Sequence, residues 1–127
     1  MDEQVELRIE PRSGRFAPHD DRWLDQVGGL VGELRDEVGG LSTQRTAVSG
    51  TKGAIDAIVL SIASAGGLTA LADLVRSWLT RDRTRSLKVS WSDSGAVESI
   101  ELSGSDIDDA AFDALVRSVS RRLAGEP

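Results

Sequence analysis

The stretch Gly53–Leu79, GAIDAIVLSIASAGGLTALADLVRSWL, is the most hydrophobic part of the chain, and the fold turns on how it is read. Ile55, Ile58, Val59, Leu60 and Ile62 form its first half; Leu68, Leu71, Leu74, Val75, Trp78 and Leu79 form its second. Gly66-Gly67 divides them. In the second half the apolar residues recur at steps of three and four, the period of an amphipathic helix, with Asp73, Arg76 and Ser77 on the wet side. The first half is apolar nearly all round, which predicts a buried helix. The segment is therefore expected to form two helices meeting at the glycine pair.

A membrane hairpin is the rival reading. Ala54 to Leu71 is about the minimum length for a span. Its Ile, Val and Leu residues contribute about −2 to −4 kcal/mol on an insertion scale, and Asp56, Thr69, the serines and the glycines offset most or all of that. Insertion thus stands near break-even, whereas a water-shielded helix pair needs no special assumption.

Working outward, Val5, Leu7 and Ile9 alternate with Glu6, Arg8 and Glu10 as in a half-buried strand, which Pro11 is expected to stop. Asp20 and Asp21 open a helix whose stripe is Trp23, Val27, Leu30, Val31, Leu34 and Val38, with a kink predicted at Gly28-Gly29 and a stop at Gly39-Gly40. Thr46-Ala47-Val48 is a candidate short edge strand. On the other side, Leu87, Val89 and Trp91 alternate with Lys88, Ser90 and Ser92. Asp93-Ser94-Gly95 then supplies a turn into Val97–Leu102, a hairpin pattern. Asp106, Asp108 and Asp109 lead a last helix with the stripe Ala111, Phe112, Leu115, Val116, Val119 and Leu123. The fold class expected is α+β: one domain over residues 1–127, with a small, mostly antiparallel sheet of roughly three or four strands against about four helices, the buried pair included.

Composition excludes several functions. The 127 residues contain no cysteine, so disulfides and thiolate chemistry are out, and one histidine leaves too few ligands for a standard zinc site. Neither a metal nor any other cofactor is expected. A net charge of −6 repels a phosphate backbone, so no nucleic-acid partner is expected. The acidic start Met1-Asp2-Glu3-Gln4 lacks the pattern of a secretory signal, which points to the cytoplasm. Arg rather than Lys usage, with abundant Ala and Gly, suggests a bacterial source.

No catalytic constellation stands out, and the chain is expected not to be an enzyme. His19 beside Asp20 and Asp21 reads as a solvated helix entrance, since no nucleophile motif accompanies it. Ser49-Gly50-Thr51-Lys52 has the S-x-x-K spacing of penicillin-binding enzymes without their other motifs. Asp106, Asp108 and Asp109 lack the glycine and terminal glutamate of a calcium loop. Trp23, Trp78 and Trp91 lie on apolar faces and are expected in the core. An enzyme working through paired carboxylates is kept as a further alternative; it requires a cleft where two Asp or Glu have perturbed pKa values.

Residues Gly50–Leu102 resemble the effector-associated constant component family of bacterial conflict systems, first type. The resemblance is carried by Gly53-Ala54, the run Ala57-Ile58-Val59-Leu60, and Ala65-Gly66-Gly67 with Leu68, Ala70 and Leu71. It continues through Trp78-Leu79, the Arg-rich connector, Lys88-Val89-Ser90-Trp91, and the Gly95 turn into Ile100-Glu101-Leu102. Trp23-Leu24 resembles the family's opening. The resemblance implies an invariant, non-catalytic partner of variable effectors, often caspase-like or trypsin-like peptidases encoded nearby, in anti-phage or self/non-self defence. An adaptor or regulatory component is the function expected, with homo-oligomerisation left open. Arg81, Arg83 and Arg85 are the candidate partner-binding residues, a compact cationic patch on an acidic protein; a solvated helix terminus is the plainer alternative.

Overall fold

The computed structural model describes residues 5–17, 20–38, 41–46, 54–93, 96–107 and 109–123. In chain order the elements are β1 (Val5–Ser13), α1 (Asp21–Glu37), β2 (Leu41–Thr46), β3 (Ala54–Ile62), α2 (Ala65–Thr80), β4 (Arg85–Asp93), β5 (Ala96–Ser103) and α3 (Asp109–Leu123). The strands form one five-stranded sheet in the order β2-β3-β1-β4-β5, every neighbouring pair antiparallel. From β1 to β4 this is the split βαβ arrangement of ferredoxin-like folds, extended by β5 and α3. The class is α+β as expected, with five strands among the described residues where three or four were expected and three helices where about four were.

The correction falls on Gly53–Leu79. Its first half is the strand β3, paired with β1 along Val5↔Ile62 to Ile9↔Ile58 and with β2 on its other side, so no buried helix pair exists. The physical reason is burial within the sheet. Ile58, Leu60 and Ile62 are buried under the helices, and Ala57, just before them and on the opposite face, is buried too. A central strand buried in this way reads as a continuous apolar run and hides its period of two. The second half is the amphipathic helix expected, α2. Ser64 caps it by accepting the Gly67 N–H at 3.1 Å, so Gly66-Gly67 lies in the first turn and does not join two helices. The membrane-hairpin reading goes with the helix pair: among the described residues no helix is long and apolar enough to cross a membrane.

Two smaller expectations also change. Pro11 does not end β1, which continues to Ser13 with Pro11 opposite Leu87. Gly14 N–H donates to the Thr84 carbonyl, so by alternation Pro11 directs its missing N–H toward β3. The β1–β3 pairing ends at Ile9↔Ile58, and no ladder bond is lost there. Helix α1 runs unbroken through Gly28-Gly29. The edge strand near Thr46 is β2, which ends at that residue; Ala47 and Val48 lie outside the described residues, as do the turn residues Ser94 and Gly95.

All three helices cover one face of the sheet, α2 between α1 and α3, with α1 against β3 and α3 against β5 and β1. Leu7, Ile9, Leu87, Val89 and Trp91 of the sheet meet Trp23, Val27, Leu30 and Leu34 of α1, Leu71, Val75 and Trp78 of α2, and Phe112, Leu115 and Val119 of α3 in one core. All three tryptophans are buried, as their apolar faces predict. The opposite face of the sheet carries Glu6, Arg8, Glu10, Lys88, Ser90 and Glu101, exposed or half-exposed.

Candidate interaction surface

Among the described residues, open grooves flank α2 on both sides along the outer surface of the helices. The larger, about 500 Å³, is lined by Glu33, Asp36 and Glu37 of α1, by Asp73 and Ser77 of α2 and by Arg81 just past its end, over Ala70 and Leu74. Spacings of three and four put each set on one helix face. Arg81 closes one end, its Nη1 lying 3.5 Å from Glu33 Oε1 and its Nη2 donating to Ser77 Oγ at 3.3 Å. The smaller, about 210 Å³, lies between α2 and α3 and shares Asp73. There Arg76 pairs with Asp109 at 2.7 Å and stacks 4.6 Å above the Phe112 ring. Among the described residues no group of three or more His, Asp or Glu has a geometry that would hold a metal.

The three arginines singled out from sequence occupy three different settings. Arg81 closes the groove. Arg83 is exposed. Arg85 is half-buried and turned inward: Nε and Nη2 donate to Gln26 Oε1 at 3.1 and 2.9 Å, and Nη1 donates to the Trp78 carbonyl at 2.7 Å. Its guanidinium also lies 4.4 Å over the Trp78 ring. Burial lowers the Arg85 pKa, with Asp82 opposing, Arg81 adding to the effect and Glu33 opposing; a guanidinium stays charged regardless. Arg85 thus fastens α1, α2 and β4 together. The sequence marked it as basic but could not show that it turns inward.

Among the described residues two carboxylates are held below their ordinary range, Asp20 at the start of α1 and Asp82 in the turn between α2 and β4. Asp20 accepts from the Arg22 side chain and then from the Arg22 backbone, as the N-cap of α1. Asp82 accepts from the Thr84 hydroxyl and backbone N–H, with Arg85 and Arg15 adding to the effect. A depressed folded-state pKa contributes stability that is present above the unfolded value, near 3.8, and lost as pH falls through the folded one. The unfolding midpoint in urea is therefore expected to hold steady near neutrality and to fall from about pH 4 downward. Asp82→Asn should flatten part of that fall, and an unchanged profile would count against the assignment.

Of the other residues weighed from sequence, Asp109 is the partner of Arg76 and Asp106 forms an isolated bridge with Ser103. His19, Ser49, Lys52 and Asp108 lie outside the described residues. The sequence showed the apolar stripes of α1 and α2 but not that these helices are neighbours, so the groove between their polar faces was missed. The one available signal was Glu33, Asp36 and Glu37 at positions i, i+3 and i+4.

Residues 20–122 match the family model described as Effector Associated Constant Component 1, a span that takes in α1, α2, all but the last residue of α3 and every strand except β1. A comparison with curated proteins finds no match.

Proposed function

The chain belongs to the family of Effector Associated Constant Component 1, and from that premise we propose that it is a non-catalytic adaptor of a bacterial conflict system. In this reading it works in the cytoplasm, in anti-phage defence, with a separately encoded effector. A caspase-like or trypsin-like peptidase is the effector class we assign. The observation that carries the reading is the family match over 20–122.

The groove between α1 and α2 supports it. Its charged residues stand on exposed or half-exposed helix faces over a floor of Ala70 and Leu74. That is the setting of a contact surface, whereas a reaction centre tunes its titratable groups by taking them out of water. The test is co-expression of the tagged protein with the products of its neighbouring genes. A neighbouring effector is expected to co-purify in fixed proportion, and its activity to change with the protein bound. Recovery of no neighbouring product would overturn the adaptor reading.

A further inference from the structure

The two edges of the sheet are not alike. β2 has six residues and its register shifts at Gln44/Arg45, and shortness and irregularity both discourage pairing with a foreign strand. β5 has eight residues in one unbroken register with β4, from Ser86↔Ser103 to Asp93↔Ala96, and pairs with no other strand among the described residues. Its sequence AVESIELS contains no proline, and its two charges, Glu98 and Glu101, are both acidic, so they guard the edge against an acidic strand and leave it open to a basic one.

Which backbone groups are free follows from one bond. Gly104 N–H donates to the Arg85 carbonyl at 2.9 Å, so the even-numbered residues of β5 face β4 and the odd-numbered ones face outward. The Ser103 carbonyl accepts from Asp106 N–H, which leaves Val97, Ser99 and Glu101 offering N–H and C=O groups away from the sheet. All three are exposed. Val97, at 75 %, is the one large apolar side chain exposed among the described residues.

Charge then selects the occupant. On the open face the register places Glu10 opposite Lys88 and Lys88 opposite Glu101, an acid–base–acid row that ends at the edge. A basic residue on the next strand continues the alternation. Glu98, exposed on the helix side, asks for a second. A second copy of the chain fits poorly. A two-fold antiparallel pairing centred on Ser99 sets Val97 against Glu101 and Glu98 against Ile100, and it joins two chains that each carry a net charge of −6.

We propose that β5 is a β-augmentation site that takes an extended, basic segment of the effector as an added antiparallel strand. The proposal rests on the adaptor reading and names one surface through which it works, separate from the helix groove. An antiparallel partner opposite Glu101 to Val97 reads basic, apolar, any residue, basic, apolar.

The test uses two variants and two readouts. Ser99→Pro removes an outward N–H and blocks the edge without touching the bonds to β4, a position where an edge strand tolerates proline. Glu98→Lys with Glu101→Lys reverses the charge. The probe is a labelled synthetic peptide with the core Lys-Val-Thr-Lys-Val, followed by fluorescence anisotropy alongside effector co-purification. The unaltered protein should bind the peptide, and each folded variant should bind it roughly tenfold more weakly. Both variants should also lose the effector. If the unaltered protein and both variants retain the effector equally, the β5 assignment fails while the adaptor reading stands. If the unaltered protein recovers no effector, the adaptor reading fails, and absence of peptide binding would then overturn the edge as well. Should Ser99→Pro not fold, the charge reversal decides. Self-association of the chain in sedimentation, abolished by Ser99→Pro, would make a second copy the occupant and overturn the proposal.

Discussion

Replacing Trp78 with alanine is expected to remove most of the stability of the fold. Trp78 is 2 % exposed in the middle of the helix layer, tilted at 48° against Trp23 with ring centroids 5.9 Å apart. Cutting a buried tryptophan to alanine costs about 3–5 kcal/mol in lost burial and residual cavity, and the aromatic pair adds about 0.5–1.5. A chain of this size has a total of about 5–15 kcal/mol. The same ring carries the Arg85 guanidinium, which would lose its stacking surface. Urea denaturation followed by far-ultraviolet circular dichroism should show an early transition or none, with Trp78→Phe in between. A Trp78→Ala midpoint equal to that of the unaltered chain would contradict the packing described here.

Arg85→Ala tests the other half of that arrangement and should cost less, about 1–3 kcal/mol, because Arg85 and Gln26 are themselves only half-buried. Its expected effect extends to the groove. Gln26 on α1 and the Trp78 carbonyl on α2 are held together through Arg85, and the Arg81–Glu33 pair closes the groove between those same helices. Loosening Arg85 should therefore let α1 and α2 part at that end, which faster hydrogen exchange over α1 would report.

What could be read from the sequence followed the clarity of each period. α1, α2 and α3 were legible because each packs one stripe and leaves the other side wet, so polar and apolar residues alternate at helical spacing. β4 and the start of β1 were legible for the matching reason: Lys88, Ser90, Glu6 and Arg8 face away from the helices and keep the alternation visible. β3 lacked that contrast, because Ala57, Val59 and Ser61 on its open side are small or apolar and are themselves buried or half-buried. Two local signals did favour a strand there, the β-branched Ile55, Ile58, Val59 and Ile62, and Ser64 placed to cap a helix beginning after it. The edge at β5 was not legible at all. Which strand ends a sheet is decided by pairings far apart in sequence, such as β1 with β4, and no local pattern encodes it.

Gly104→Ala should be among the most damaging small substitutions in the protein. A Cβ built at Gly104 lies 2.6 Å from the carbonyl oxygens of both Asp82 and Leu79, and 3.2 Å from the Arg83 Cα. All three are backbone atoms, so no rotamer change relieves the overlap, and the connector between α2 and β4 must move. Forced overpacking of this kind costs about 1–3 kcal/mol or more. The Gly104 N–H to Arg85 bond would be pulled with it, loosening the end of β5 next to the proposed docking edge. The comparison that isolates this cause is the same chemical change in α1, where a Cβ at Gly28 or Gly29 meets nothing within 4 Å. There alanine is expected to stabilise by about 1 kcal/mol through helix propensity alone. Opposite signs for one substitution at two places are the expected outcome. Hydrogen exchange over Val97–Leu102 should quicken only for Gly104→Ala. If Gly104→Ala proves as benign as Gly28→Ala, the close approach of β5 to the α2–β4 connector is wrong, and so is the alternation that turns Val97, Ser99 and Glu101 outward.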